Sequence, residues 1–157
     1  MIDKARLTEK CQGLGIPLTP GQADLLDEYA RILVEYNEKV NLTAITDPAG
    51  IEDRHLVDSL LFASQPEVAG SLVDVGTGAG FPGMPLKILE PSIHMTLLDS
   101  LGKRITFLQG CCDELGLADV RCVHARAEEF AGSRREGYDI AVSRAVANLR
   151  LLAELCL

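Results

Sequence analysis

The sequence has no tryptophan and only four phenylalanines and three tyrosines, so the aromatic platforms on which unpaired bases stack are scarce. It lacks any apolar run of the about 18 residues a membrane-spanning helix requires. The start, Met1-Ile-Asp-Lys-Ala-Arg-Leu-Thr-Glu-Lys10, has no apolar stretch of the kind that marks a secretion signal, and a cytoplasmic protein is expected. Basic excess is missing too: 15 Lys and Arg face 23 Asp and Glu, a net charge of -8. That balance disfavours a partner held by overall attraction, such as bulk nucleic acid, while leaving room for a local basic face. The five cysteines, Cys11, Cys111, Cys112, Cys122 and Cys156, are odd in number and form no C-x-x-C. Cys122 and His124 stand close, but two ligands do not close a tetrahedral metal site, so reduced thiols and no metal are expected.

What is present suits a small folded domain. The 157 residues are 47% hydrophobic and 24% charged, which excludes a disordered or collagen-like chain. The first third reads as helices. Ile2 to Gln12 is amphipathic and closed by Gly13. Thr19-Pro20-Gly21-Gln22 combines a cap, a first-turn proline and a capping-box glutamine. Leu25, Leu26, Tyr29, Ile32, Leu33 and Tyr36 then follow as one stripe. A third helix is expected over Ile51–Ala63. From Ser71 the period changes to short apolar runs: Ser71–Val75, His94–Leu98 ending at Asp99, Val120–Val123 and Tyr138–Ser143. Helical stretches separate them at Met84–Leu89 and Leu101–Leu115, with a turn near Glu128–Ala131 and a last helix over Asn148–Leu157. Alternating strands and helices predict parallel βαβ units in a doubly wound sheet of order 3-2-1-4. A helical segment (1–66) would precede this α/β domain (67–157), the two forming one compact unit.

The stretch Asp74-Val-Gly76-Thr-Gly78-Ala-Gly80-Phe81-Pro82-Gly83 follows a predicted strand and opens a helix. It contains G-x-G-x-x-G at Gly78, Gly80 and Gly83, which reads as a dinucleotide fingerprint with Asp99 as the ribose ligand. A nicotinamide-dependent reductase is the corresponding alternative. A tight turn without any ligand is the plainest one. The acid two residues before the first glycine instead resembles the acid-x-Gly-x-Gly-x-Gly pattern of class I S-adenosylmethionine-dependent methyltransferases. Their cofactor has no phosphate, and an acid at Asp74 suits its cationic methionine end. Asp99 is placed for the ribose hydroxyls and Glu128, with Ala127, for the adenine, because ligands of open α/β sheets sit at the carboxyl ends of strands.

Further motifs narrow the resemblance. Asn41-Leu42-Thr43-Ala44, Arg54-His55-x-x-Asp58-Ser59, the glycine loop, Leu98-Asp99-Ser100-Leu101-Gly-Lys103-Arg104 and Val142-Ser143-Arg144-Ala145 occur in that order. Together they resemble the glucose-inhibited division protein B family of bacterial ribosomal RNA methyltransferases. The resemblance implies a Rossmann-like fold and methyl transfer from S-adenosylmethionine to N7 of a guanine in 16S ribosomal RNA, in the small ribosomal subunit or its precursor. It puts cofactor contacts on Gly76, Phe81, Asp99, Ser100, Leu101, Ala127, Glu128 and Arg144, beside Asp74 and Gly78 of the loop. The family more often carries an aliphatic residue where Phe81 stands. Its members also continue beyond Leu157 with further strands, so a sheet lacking those strands is expected. One edge of the fourth strand would then have no partner, and Leu149, Leu152, Leu155 and Cys156 would be uncovered. A non-catalytic S-adenosylmethionine-binding fragment is a third reading.

Guanine N7 carries an exposed lone pair, so the expected chemistry needs no general base, and His55 is read as a helix residue beside the pocket. No catalytic acid or base is nominated. Arg54, Lys103, Arg104, Arg126 and Arg144 are the candidates for RNA contact.

Overall fold

The computed structural model describes residues 1–64, 70–126, 129, 139–143 and 150–151. Helix α1 (Lys4–Gly13) is capped by the Asp3 carboxylate, which accepts the Arg6 amide at 3.0 Å. Helix α2 (Pro20–Asn37) starts with the full capping box: Thr19 Oγ1 accepts from the Gln22 amide, and the Gln22 side chain accepts from the Thr19 amide. Its stripe of Ala23, Leu26, Tyr29, Ala30, Ile32 and Leu33 is buried. A carboxylate without solvent contact, Glu52, accepts the Asp3 amide at 2.7 Å and Arg6 Nε at 2.8 Å, joining α1 to the third helical segment.

That third segment, α3, departs from the single regular helix expected over Ile51–Ala63. It begins with an α-turn at Pro48–Gly50, widens to π-type turns over Ile51–Val57, returns to α at Asp58–Leu60 and tightens to 3₁₀ at Leu61–Ser64. Apolar spacing reports which face is buried, and it cannot distinguish these three windings. Wide turns of this type are frequent at functional sites, and His55 lies within them.

Four strands, β1 (Ser71–Val75), β2 (His94–Asp99), β3 (Val120–His124) and β4 (Ile140–Ser143), run parallel in the order β3-β2-β1-β4. Helices α4 (Gly83–Leu89) and α5 (Gly102–Leu115) connect β1 to β2 and β2 to β3. Gly116 closes α5 in a left-handed conformation at φ 66°. A two-residue strand, β5 (Arg150–Leu151), continues the sheet antiparallel to β4, pairing Leu151 with Val142 and Arg150 with Ser143. This corrects two expectations. Residues 150–151 are extended rather than part of a helix over Asn148–Leu157, and the outer edge of β4 is partly paired by the chain itself. Its unpaired backbone groups give the physical reason, since a returning segment satisfies them. The turn expected near Glu128–Ala131 lies outside the described residues except for Glu129, which is helical.

One apolar cluster runs from Leu7 and Cys11 of α1 through Leu26 and Leu33 of α2 to Leu72, Leu97, Leu108 and Val142, so helices and sheet share a core. A smaller cluster of Val73, Leu98 and Ala141 occupies the other face. Because β1 is buried on both faces, its central side chains Leu72 and Val73 are apolar without alternation, and Asp74 is the buried polar exception. Among the described residues no helix is long and apolar enough to cross a membrane.

Candidate functional site

The strand order changes direction at β1, with β2 on one side and β4 on the other, and such switch points form crevices outside the carboxyl ends of strands. A cavity of about 340 Å³ lies there. Its floor is the loop after β1, with Gly76, Thr77, Gly78 and Ala79. Asp99, Ser100 and Arg104 line it from β2 and the start of α5, and Leu42, Thr43, His55 and Phe81 from the other side.

The loop is folded by its own residues. Gly76 and Gly78 take φ values of 68° and 61°, which a side chain makes costly. A Cβ added at Gly78 would meet no protein atom within 4 Å, so the bare backbone there faces open space. Gly83 serves packing instead: a Cβ there would collide with Leu97 Cδ2 and come within 2.9 Å of Asp74 Oδ2. Asp74 is fully buried. Its Oδ2 accepts from Thr77 Oγ1 at 2.7 Å and from the Gly83 amide at 2.8 Å, so it ties the loop to the start of α4. It is not among the residues that line the cavity, whereas its spacing suggested a contact with the cofactor's methionine end, directly or through water.

This arrangement bears on which ligand fits. A pyrophosphate needs free amides at a helix N-terminus. Here the Gly83 amide is held by Asp74, the Gly80 and Phe81 amides by the Thr77 carbonyl, the Met84 amide by the Gly80 carbonyl, and the Gly78 amide by Asp99. The acceptor of the Gly83 amide is itself an anion, the buried Asp74 carboxylate. The dinucleotide reading loses its main contact, and a ligand without phosphate fits better.

Asp99, 3% exposed, is held from two sides: Oδ2 accepts the Gly78 amide at 2.9 Å and Oδ1 the Leu101 amide at 2.9 Å. These bonds orient both oxygens at the cavity wall, as a pair of ribose hydroxyls requires. The Ser100 carbonyl accepts from His124 Nε2 at 3.0 Å, which fastens the end of β3 beneath the same loop. Leu101 contributes its amide, while its side chain is exposed.

Phe81 stacks on His55, with ring centroids 4.2 Å apart and planes 4° from parallel, and on Tyr29 at 5.5 Å. Tyr29 Oη donates to the Ala79 carbonyl. His55 Nε2 meets Thr43 Oγ1 at 2.9 Å, and Thr43 Oγ1 also accepts the Ile45 amide. Asn37 Oδ1 in turn accepts the amides of Leu42 and Thr43, holding that loop against the cavity. Leu42, Thr43, Thr77 and Ala79 line the cavity without being assigned as site residues in the sequence, where only their place in the ordered motifs points here, while His55, read as a helix residue beside the pocket, lines it too.

The RNA candidates are spread out. Arg54 is exposed on α3, 3.8 Å from Asp47; Lys103 and Arg126 are exposed; Arg104 is half-buried at the cavity. Ala127, Glu128 and Arg144 lie outside the described residues. Among the described residues no group of three or more His, Cys, Asp or Glu could hold a metal ion.

Parallel sheet, switch-point cavity and glycine loop define a Rossmann-like α/β protein of the class I methyltransferase type. A solved structure from Staphylococcus aureus, described as a caffeoyl-CoA O-methyltransferase, shares the fold at TM-score 0.50 and 15% identity, covering 83% of this chain and 54% of that one. Residues 22–157 match the family described as rRNA small subunit methyltransferase G (GidB), and the chain belongs to that family. It is 48% identical over 161 residues to the ribosomal RNA small subunit methyltransferase G of Alkaliphilus metalliredigens (strain QYMF), covering 100% of this chain and 67% of that protein. The Alkaliphilus oremlandii (strain OhILAs) relative of the same name is 50% identical over 155 residues, covering 96% and 65%. The chain therefore spans about two thirds of the length of these relatives.

Proposed function

We propose that this chain carries the cofactor site of an enzyme that transfers a methyl group from S-adenosylmethionine to N7 of a guanine in 16S ribosomal RNA, acting in the cytoplasm on the small ribosomal subunit or its precursor. The observation that carries the reading is Asp99: a buried carboxylate with both oxygens aimed by backbone amides, beside a bare glycine backbone at a switch-point cavity. Membership in a family described as rRNA small subunit methyltransferases supports it.

When bound, S-adenosylmethionine supplies an electrophilic methyl group. The chain's own residues would bind and orient. Asp99 accepts from ribose hydroxyls, Gly76 and Gly78 let the ligand approach the backbone, and Ser100 and Leu101 frame the same end. Phe81, braced by His55 and Tyr29, forms an apolar wall. Ala127, Glu128 and Arg144 complete the cofactor contacts, while Arg54, Lys103, Arg104, Arg126 and Arg144 meet RNA. Asp74 acts through the loop it ties. Guanine N7 attacks with its own lone pair, so the site supplies position and exclusion of water rather than a base.

The test is transfer of tritiated methyl to small-subunit particles, followed by borohydride and aniline treatment, which cleaves RNA at 7-methylguanosine. Label with cleavage at one guanine supports the proposal. Label without cleavage moves the methyl to another atom. Binding of S-adenosylhomocysteine without any transfer returns the chain to a non-catalytic binding fragment.

A further inference from the structure

Asp99 has a third neighbour. One terminal guanidinium nitrogen of Arg104 reaches Oδ1 at 3.5 Å and Oδ2 at 3.4 Å, against 2.9 Å for each backbone amide. The amide bonds fix the carboxylate, whereas the Arg104 contacts lie at the outer limit of hydrogen bonding. A carboxylate offers about four acceptor sites. Two are taken by the amides, and Arg104 Nη1 stands against both oxygens, so a ligand that hydrogen-bonds Asp99 from the cavity approaches beside Arg104. The guanidinium itself is poorly satisfied. Asp99 is its one side-chain partner among the described residues, and its Nε is buried without an acceptor. Its side chain, 32% exposed, borders the cavity, so a change of partner needs no repacking of the core.

We propose that a ribose diol binding to Asp99 displaces the Arg104 guanidinium, and that the released guanidinium anchors a backbone phosphate of the RNA substrate. Cofactor and RNA are then coupled through one side chain, and by linkage each strengthens the other. A guanidinium suits this exchange, because its planar fork of donors matches a phosphate as well as a carboxylate. The idea rests on the cofactor and RNA substrate proposed above. It also inverts the ordinary expectation for a cavity-lining arginine, since Arg104 here opposes the cofactor until an anion takes it.

Calorimetry tests it with S-adenosylhomocysteine and with 5′-methylthioadenosine, which keeps the ribose and lacks the carboxylate. The proteins are the parent, Arg104→Ala and Arg104→Met, the last keeping an apolar stem in place, with melting curves to show that both variants fold. Both ligands are expected to bind both variants about two- to fivefold tighter than the parent, the range of a partly exposed ion pair. In the parent, saturating S-adenosylhomocysteine should tighten binding of a small-subunit ribosomal RNA transcript by a similar factor, a measurement that needs no variant. In the variants RNA should bind more weakly and ignore the cofactor. Equal or weaker ligand binding by both variants, or parent RNA affinity that ignores S-adenosylhomocysteine, overturns the coupling and leaves the cofactor site standing. If the parent binds neither ligand, the proposed function falls along with it.

Discussion

Asp99 performs two tasks with one side chain. It orients the glycine loop through the Gly78 amide and presents its remaining acceptor sites beside the cavity. Asp99→Ala is expected to lower affinity for S-adenosylhomocysteine by about 30- to 150-fold, a net loss of about 2–3 kcal/mol once its charge-assisted hydrogen bonds to ribose are gone, as read by calorimetry. The glycines divide differently. Gly78→Ala meets no protein atom, so its Cβ costs about 1–2 kcal/mol in backbone strain and intrudes on the ligand. Gly83→Ala drives a Cβ into Leu97 and Asp74, in the core. The first variant should therefore melt only a few degrees below the parent and bind weakly, whereas the second should lose far more stability before binding can be measured. Thermal melts beside calorimetry check the pair. Spacing alone could not separate these glycines or turn Asp74 inward, because a motif gives the order of side chains and not the face each one takes.

At the scale of elements, the strand and helix alternation from Ser71 was legible, since short apolar runs and a closing glycine such as Gly116 are local signals. The winding of α3 and the pairing of β5 were not. Periodicity is blind to π-type turns, and a strand of two residues has no period. The Phe81–His55 stack joins residues 26 positions apart, beyond any local pattern. Another element-level device is Lys87 on α4, 1% exposed, whose ammonium donates to the carbonyls of Pro91 and Ile93 at 2.7 and 2.5 Å and so fastens the turn into β2. Lys87→Met would keep the volume and strand both carbonyls, at a cost of about 1–3 kcal/mol in unfolding free energy. Burial holds the Lys87 pKa below its ordinary value of 10.5. Between that lowered pKa and 10.5 the unfolded chain binds more protons, so the Lys87 contribution to stability rises with pH across this window and levels off above it. Denaturant titrations of parent and variant at a series of alkaline pH values should show the parent gaining relative to Lys87→Met; a constant or shrinking difference would contradict the assignment.

For the whole molecule, a net charge of -8 has to coexist with the proposed RNA substrate. Few phosphates can be neutralised by an acidic protein with scattered arginines, so recognition should depend more on shape than on charge. The slope of log affinity against log salt for a small-subunit transcript is therefore expected to be shallow, no steeper than about -3.5 if each of the five basic residues proposed to meet RNA holds one phosphate, and filter binding across a salt series measures it. The wider account rests on what the switch-point cavity accepts. Parallel calorimetric titrations of this chain with S-adenosylhomocysteine and NADH, repeated on Asp99→Ala, test that most directly. Binding of one S-adenosylhomocysteine per chain, greatly weakened in the variant, with no heat from NADH, is the predicted result. Binding of NADH, or of S-adenosylhomocysteine with the same affinity in parent and variant, would contradict it.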